Sequence, residues 1–113
     1  MHYTFREPKP TFEWDEYKNQ VNVDKHGVSF EDAQYAFDDP NLLLFEDTNH
    51  SSLEHRQFCI GQIDGQIITV RFTMRGDSIR ILGAGYWRKG KKLYEKKRRL
   101  YWRTNEHWQA VTT

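Results

Sequence analysis

Three arginines and a threonine are the residues of this 113-residue chain best placed to do chemistry. Asp64-Gly65 and Gly76-Asp77 read as two-residue hairpin loops. Ile63 then pairs with Gln66, and Arg75 with Ser78. Counting back along the strands sets Arg56 opposite Thr73, Phe58 opposite Arg71, Thr73 opposite Arg80 and Arg71 opposite Leu82. Side chains alternate faces along a strand. One face is therefore expected to carry Arg56, Phe58, Ile60, Thr69, Arg71, Thr73, Arg80 and Leu82. The other carries Cys59, Ile63, Ile68, Val70, Phe72, Met74, Ile79 and Ile81, an almost purely apolar set that reads as the core. Convergent guanidinium groups suit a phosphate or a carboxylate. The plainer reading is that the arginines are solvated or paired with Glu54 and Asp77, since half-solvated antiparallel sheets are common.

The elements that must position these side chains follow from the pattern on either side. Residues 1–11 hold Pro8 and Pro10 without periodicity and read as an arm. Thr11 to Trp14 alternates polar and apolar, as a short strand does. Asp15 is a suitable N-cap for a helix from about Glu16 to Lys25, with Tyr17 and Val21 on one stripe and Gly27 at its end. Ser29 opens a second helix, Phe30 to Phe37, closed by Asp38-Asp39-Pro40. Leu42 to Phe45 is a short apolar strand, and the three hairpin strands follow. A last helix is expected from about Lys91 to Arg103. Trp87, Tyr94, Tyr101 and Trp108 recur every seven residues there, with Leu93 and Leu100 beside them. The fold class is α+β: two N-terminal helices, a mainly antiparallel four- to five-stranded sheet and a C-terminal helix.

Composition narrows the function classes. The length suits one domain, and seven Phe, six Tyr and four Trp give too much apolar content for a disordered chain. The lone Cys59 sits on the core face and has no partner for an internal disulfide, which fits a reducing, cytoplasmic setting. The chain opens without a signal-peptide pattern, and no stretch reaches membrane-spanning length. The net charge of +1 hides an asymmetry. Residues 1–85 hold 8 Lys or Arg against 14 Asp or Glu, a net of −6, whereas residues 86–103 hold 9 basic residues against Glu95, a net of +8. A basic C-terminal segment on an acidic body suits a polyanion such as nucleic acid, or an acidic protein. A solvated helix face is the bland alternative.

Phe12-Glu13-Trp14-Asp15 and the string Lys25-His26-Gly27-Val28-Ser29-Phe30-Glu31-Asp32-Ala33 resemble the start of BrnT toxins. Asp39-Pro40, Asp47 with His50, Glu54-His55-Arg56, Thr73, Arg75-Gly76-Asp77 and Ile79-Arg80-Ile81 continue the likeness, which spans about residues 12–95. The resemblance implies a RelE-like fold and an endoribonuclease toxin of a type II toxin–antitoxin module that arrests translation and growth. It implies a BrnA-like antitoxin as partner and RNA as substrate, with promoter DNA bound only through the antitoxin complex. No cofactor, metal or membrane is implied, and there is room for a homodimer through the antitoxin or the C-terminal helix. On this reading residues 1–11 are an arm, 12–96 the toxin domain and 97–113 a basic, aromatic helical extension.

Metal-independent RNA cleavage needs a base for the 2′-hydroxyl, cations for the phosphorane charge and an acid for the leaving 5′-oxygen. Family arginines match Arg56 and Arg80, and the family threonine matches Thr73. Glu54 is the leading base candidate, with Lys25 or a tyrosine as alternatives. His50 and, with less weight, His55 are acid–base candidates because histidine titrates near neutrality. Each has an ordinary reading as well: a Glu54–Arg56 ion pair and surface histidines. Arg71, Arg75, Arg88 and Lys91 are the RNA-binding candidates. His50 and His55 do not have zinc-site spacing. Two departures from the family stand out. Gly85 replaces its arginine, and the following helix, around Gly90, lacks its glutamate. Arg71, Arg88 or Lys91 are the candidates to replace the lost charge, and Trp87 and Tyr86 are candidates for base stacking or core. Without replacement the chain would be a non-catalytic BrnT-like module that binds nucleic acid or protein.

Overall fold

The first hairpin turn runs Asp64 at φ 49° and Gly65 at φ 85°, and the second has Gly76 at φ 60°. Positive φ at both loop residues is the type I′ pattern, and at the first alone the type II′ pattern, the two turns that match strand twist. They fix the strand register. The computed structural model describes residues 10–47 and 56–99. The strands are β1 (Thr11–Glu13), β2 (Leu43–Glu46), β3 (Arg56–Ile63), β4 (Gln66–Arg75) and β5 (Ser78–Gly85). They form one sheet in the order β1-β5-β4-β3-β2, antiparallel except for the parallel β1–β5 edge.

The expected pairs Ile63–Gln66, Phe58–Arg71, Arg56–Thr73, Thr73–Arg80 and Arg75–Ser78 are all present. The count fails at one place. Arg71 pairs with Gly83 and Phe72 with Ile81, so Leu82 is an extra residue in β5 and not the partner of Arg71. This bulge bends the strand and puts Gly83 on the arginine face.

The core lies on the opposite face. Cys59, Ile68, Val70, Phe72, Ile79, Ile81 and Ala84 pack under Val28, Phe30, Ala33, Ala36 and Phe37. Burial pushes the Cys59 thiol far above its ordinary pKa, which makes it a packing residue and not a nucleophile. Met74, expected in this core, is 44% exposed because it lies at the loop end of β4 where the face meets solvent.

Helix α1 (Glu16–His26) starts where Asp15 Oδ1 accepts from Lys18 N and stops at Gly27. The expected Tyr17 stripe is not its buried side, for Tyr17 is 77% exposed. Instead α1 docks on β5 through buried Asn22. Asn22 Nδ2 donates to Ala84 O and Val28 O, both at 2.9 Å, and its Oδ1 accepts from Ala84 N at 3.2 Å. The side chain thus satisfies backbone groups of β5 beyond the stretch that β1 pairs. The second helix is shorter than its pattern suggests. Ser29 caps α2 (Phe30–Ala33), and the chain then tightens to a 3-10 turn over Gln34–Asp38. A last helix, α3, spans 88–99 and so begins about one turn before the expected Lys91. Tyr101 and Trp108 of its proposed stripe lie outside the described residues.

α3 is tied down by Asp39. Its buried carboxylate accepts from Tyr94 Oη at 2.6 Å, Gln62 N at 2.7 Å and Asn41 N at 2.8 Å. Burial first, and then the Asp39 carboxylate, push the Tyr94 phenol up to about 12. Ile60, expected on the arginine face, does point there but is 1% exposed, with the first turn of α3 packed beside it at Gly90.

Candidate functional site

A row of side chains crosses the arginine face at right angles to the strands. Arg56, Thr73 and Arg80 are successive register partners on β3, β4 and β5, and Glu13 on β1 pairs with Arg80. Asp47, just beyond β2, donates its backbone N–H to Arg56 O at 3.0 Å. The row therefore reads carboxylate, guanidinium, hydroxyl, guanidinium, carboxylate. With strands ~4.8 Å apart, the two arginine backbones stand roughly 10 Å apart, on either side of Thr73. Thr73 stands between them in the register and is buried, at 2% exposure. Arg80 lies 3.9 Å from Glu13 across the sheet edge, so its ion pair is with Glu13. Asp77, the other carboxylate expected beside the arginines, is at the hairpin loop.

Arg71 sits one row further along β4. Its guanidinium lies over the α-carbon of Gly83, where a β-carbon would come within 2.6 Å of the Arg71 terminal nitrogen. Arg56, Arg71, Lys18 and Leu82 enclose a cleft of about 160 Å³, with Asp47 at its wall. Lys18 was not singled out from the sequence. The available signal was its place two turns before Lys25, on the same side of the helix. Lys25 itself is exposed in the last turn of α1. Arg75 stands at the loop end of the arginine face, while Arg88 and Lys91 are exposed on α3, and none of the three lines this cleft. Glu54, His50 and His55 lie outside the described residues.

A second, wider groove of about 540 Å³ adjoins the cleft and shares Arg71 and Asp47 with it. Phe58, Ile60, Thr69, Trp87 and Leu93 make it largely apolar, and Lys89 stands at its rim. Gly85 and Gly90 shape this groove, Gly85 through Trp87 and Gly90 as part of its lining. A β-carbon at Gly85 would lie 2.7 Å from the Trp87 ring, so the missing side chain is what seats the indole. A β-carbon at Gly90 would collide with Thr69 Oγ1, so glycine lets α3 approach the sheet. The imidazole of His26 meets the same indole edge-on at 5.1 Å. Among the described residues no three His, Cys, Asp or Glu side chains cluster as a metal would require. None of the described helices is long and apolar enough to cross a membrane.

A cleft lined by Lys18, Arg56 and Arg71 thus lies beside the row Arg56–Thr73–Arg80 on an α+β sheet, and its charge is of the sign that suits phosphate. The family model described as the ribonuclease toxin, BrnT, of the type II toxin–antitoxin system matches residues 14–90, and the chain belongs to that family. Its class is therefore that of a ribonuclease toxin whose module includes an antitoxin. No curated protein matches the chain.

Proposed function

We propose that this chain is a metal-independent endoribonuclease of RelE-like fold, held in check by a BrnA-like antitoxin, and that the arginine row is where RNA is cut. The observation that carries the reading is the register Arg56–Thr73–Arg80, two guanidinium groups bracketing a buried hydroxyl. Charge builds on the non-bridging phosphate oxygens as the 2′-oxygen attacks, and preorganised cations there lower the barrier. Arg56 and Arg80 take that role. Thr73 fixes a phosphate oxygen, and Lys18 with Arg71 holds the neighbouring strand. A base removes the 2′-hydroxyl proton as the new P–O bond forms, and an acid protonates the 5′-oxygen as the old one breaks. Glu54 is our first choice of base and His50 of acid, with Asp47, whose carboxylate is at the cleft wall, as the alternative carboxylate.

Arg71 supports retained activity despite Gly85. Its guanidinium lies over Gly83, two residues from the position at which the family's arginine is lost. The second reading, a BrnT-like module that binds RNA without cutting it, draws on the same position, since the Trp87 ring occupies the space above Gly85.

The test is to induce the chain alone in cells and follow growth and bulk RNA, beside Arg80→Ala and Glu54→Ala at matched protein levels. Growth arrest with RNA breakdown that both substitutions abolish is the expected result. Normal growth and intact RNA with soluble, folded wild-type protein would select the binding module. Arrest abolished by Arg80→Ala alone would move the base to Asp47.

A further inference from the structure

We propose that the groove between β3, β4 and α3 is a nucleobase subsite, which takes a base of the RNA strand whose phosphate lies in the adjoining arginine cleft. This rests on the ribonuclease reading above and adds how the strand is gripped. The groove, at about 540 Å³, falls within the ~300–1,000 Å³ range of small-ligand sites. It is continuous with the phosphate cleft, because the side chain of Arg71 lines both. A nucleotide has the matching division, an anionic phosphate joined to a flat apolar face. Phe58 and Trp87 supply aromatic surface in the groove, and stacking on such surface accepts any base because every base has a π face.

The platform is built before the ligand arrives. Trp87 lies on the bare α-carbon of Gly85 and against the edge of His26, while Phe58 is stacked on Phe45 at 5.0 Å with 19° between planes. Neither ring has to be ordered by binding, which removes a cost that a mobile side chain would carry. The rim decides between occupants. Arg71 and Lys89 stand beside the aromatic surface, so the groove favours an apolar ring on an anionic chain over an uncharged apolar peptide. Asp47, at the junction, disfavours a phosphate on its own side and leaves the guanidinium side for it. Two glycines thus shape the groove, Gly85 by seating the indole and Gly90 by letting α3 close against Thr69.

The test uses the full-length chain and a 2′-O-methyl oligonucleotide, which cannot be cleaved, beside the same strand carrying consecutive abasic residues. Binding is read by fluorescence anisotropy at fixed salt. The wild-type chain is expected to bind the base-bearing strand about tenfold more tightly than the abasic one, equivalent to about 1.4 kcal/mol. Trp87→Ala is expected to bring the two strands near parity without changing the abasic affinity, and Trp87→Phe to keep most of the difference. Leu93→Ser, which leaves Trp87 on its glycine, reads the same difference should Trp87→Ala fold poorly. Equal affinity of the wild-type chain for both strands, with salt-dependent binding that Arg56→Ala weakens, would overturn the base subsite and leave the ribonuclease reading standing. No salt-dependent binding of either strand would overturn that reading and the subsite with it. Trp87→Ala that weakens both strands equally would make the indole structural. Trp87→Ala that impairs only neutralisation by the antitoxin would make the groove a protein interface. Either result overturns the proposal.

Discussion

The two faces of the sheet differ in what their side chains have to satisfy. On the core face Ile68, Val70, Phe72, Ile79 and Ile81 need only apolar neighbours, and α2 and the 3-10 turn supply them. On the other face Arg56, Thr73 and Arg80 are held beside carboxylates from both sheet edges, and α3 covers only the Ile60 end. Strand parity sets most of this division, since moving one residue along β4 from Phe72 to Arg71 passes from a core anchor to a candidate ligand for phosphate, while Ile60 and Thr73 are buried on the arginine face as well. Changes on the two faces should therefore fail in different ways.

The largest stability effect is expected on the core face. Phe30 is fully buried and meets Trp14 edge-on at 6.3 Å. Phe30→Ala should lower unfolding free energy by about 3–5 kcal/mol in a urea titration, with any activity lost in proportion to the folded fraction. A smaller loss would mean that the core is less closely packed than its burial indicates. On the opposite face Arg56→Ala should do the reverse. We expect RNA cleavage to fall by about 100-fold or more while the melting curve stays close to that of the wild-type chain. A large shift in melting would show that the arginine row is structural and would erase the contrast between faces.

Tyr94 tests the joint that holds α3 to the sheet. Its phenol is pushed up to about 12 from an ordinary value near 10, so the folded state holds the proton more tightly than the unfolded one. That stabilisation is fully present below pH ~10 and is lost as pH rises toward ~12. Tyr94→Phe should cost about 1–2 kcal/mol at neutral pH through the lost hydrogen bond to Asp39. It should also flatten the alkaline fall in stability, and an unchanged alkaline profile would assign that fall to other groups. The smallest effect is expected at the sheet edge. The Arg80–Glu13 pair is long, and the Glu13 side chain is 43% exposed. Glu13→Gln should change stability by less than about 0.5 kcal/mol. Its informative readout is cleavage: no change in rate would show that Arg80 needs no help from Glu13 to meet phosphate.

Much of this was legible in the chain itself. Asp64-Gly65 and Gly76-Asp77 carry the backbone chemistry of tight hairpins, so pairing could be counted residue by residue, and the row Arg56–Thr73–Arg80 followed. Asp15, Gly27 and Ser29 marked helix ends because capping is a local hydrogen-bond problem. The places where pattern reading failed are those where distant segments meet. The Leu82 bulge shifts the β4–β5 register by one residue, and no turn residue announces it. The pattern put Tyr17 and Val21 on one stripe and gave Asn22 no part, but α1 is bound through Asn22 to the backbone of Ala84, 62 residues away. Lys18 joined the cleft only because that docking turned it toward Leu82 and Arg56.

By itself, then, the sequence determined the strand register up to the Leu82 bulge, the Asp15, Gly27 and Ser29 caps, the separation into an apolar and an arginine-bearing face, and the family likeness, all of which depend on neighbouring residues or on period-2 alternation. Only the tertiary structure decided that Gly85 and Gly90 are spaces filled by Trp87 and approached by Thr69, that Arg71 lies over Gly83, and that Asp39 anchors Tyr94. A glycine in a sequence looks the same whether it frees the backbone or makes room for a ring. Which of the two it does depends on what the fold brings against it.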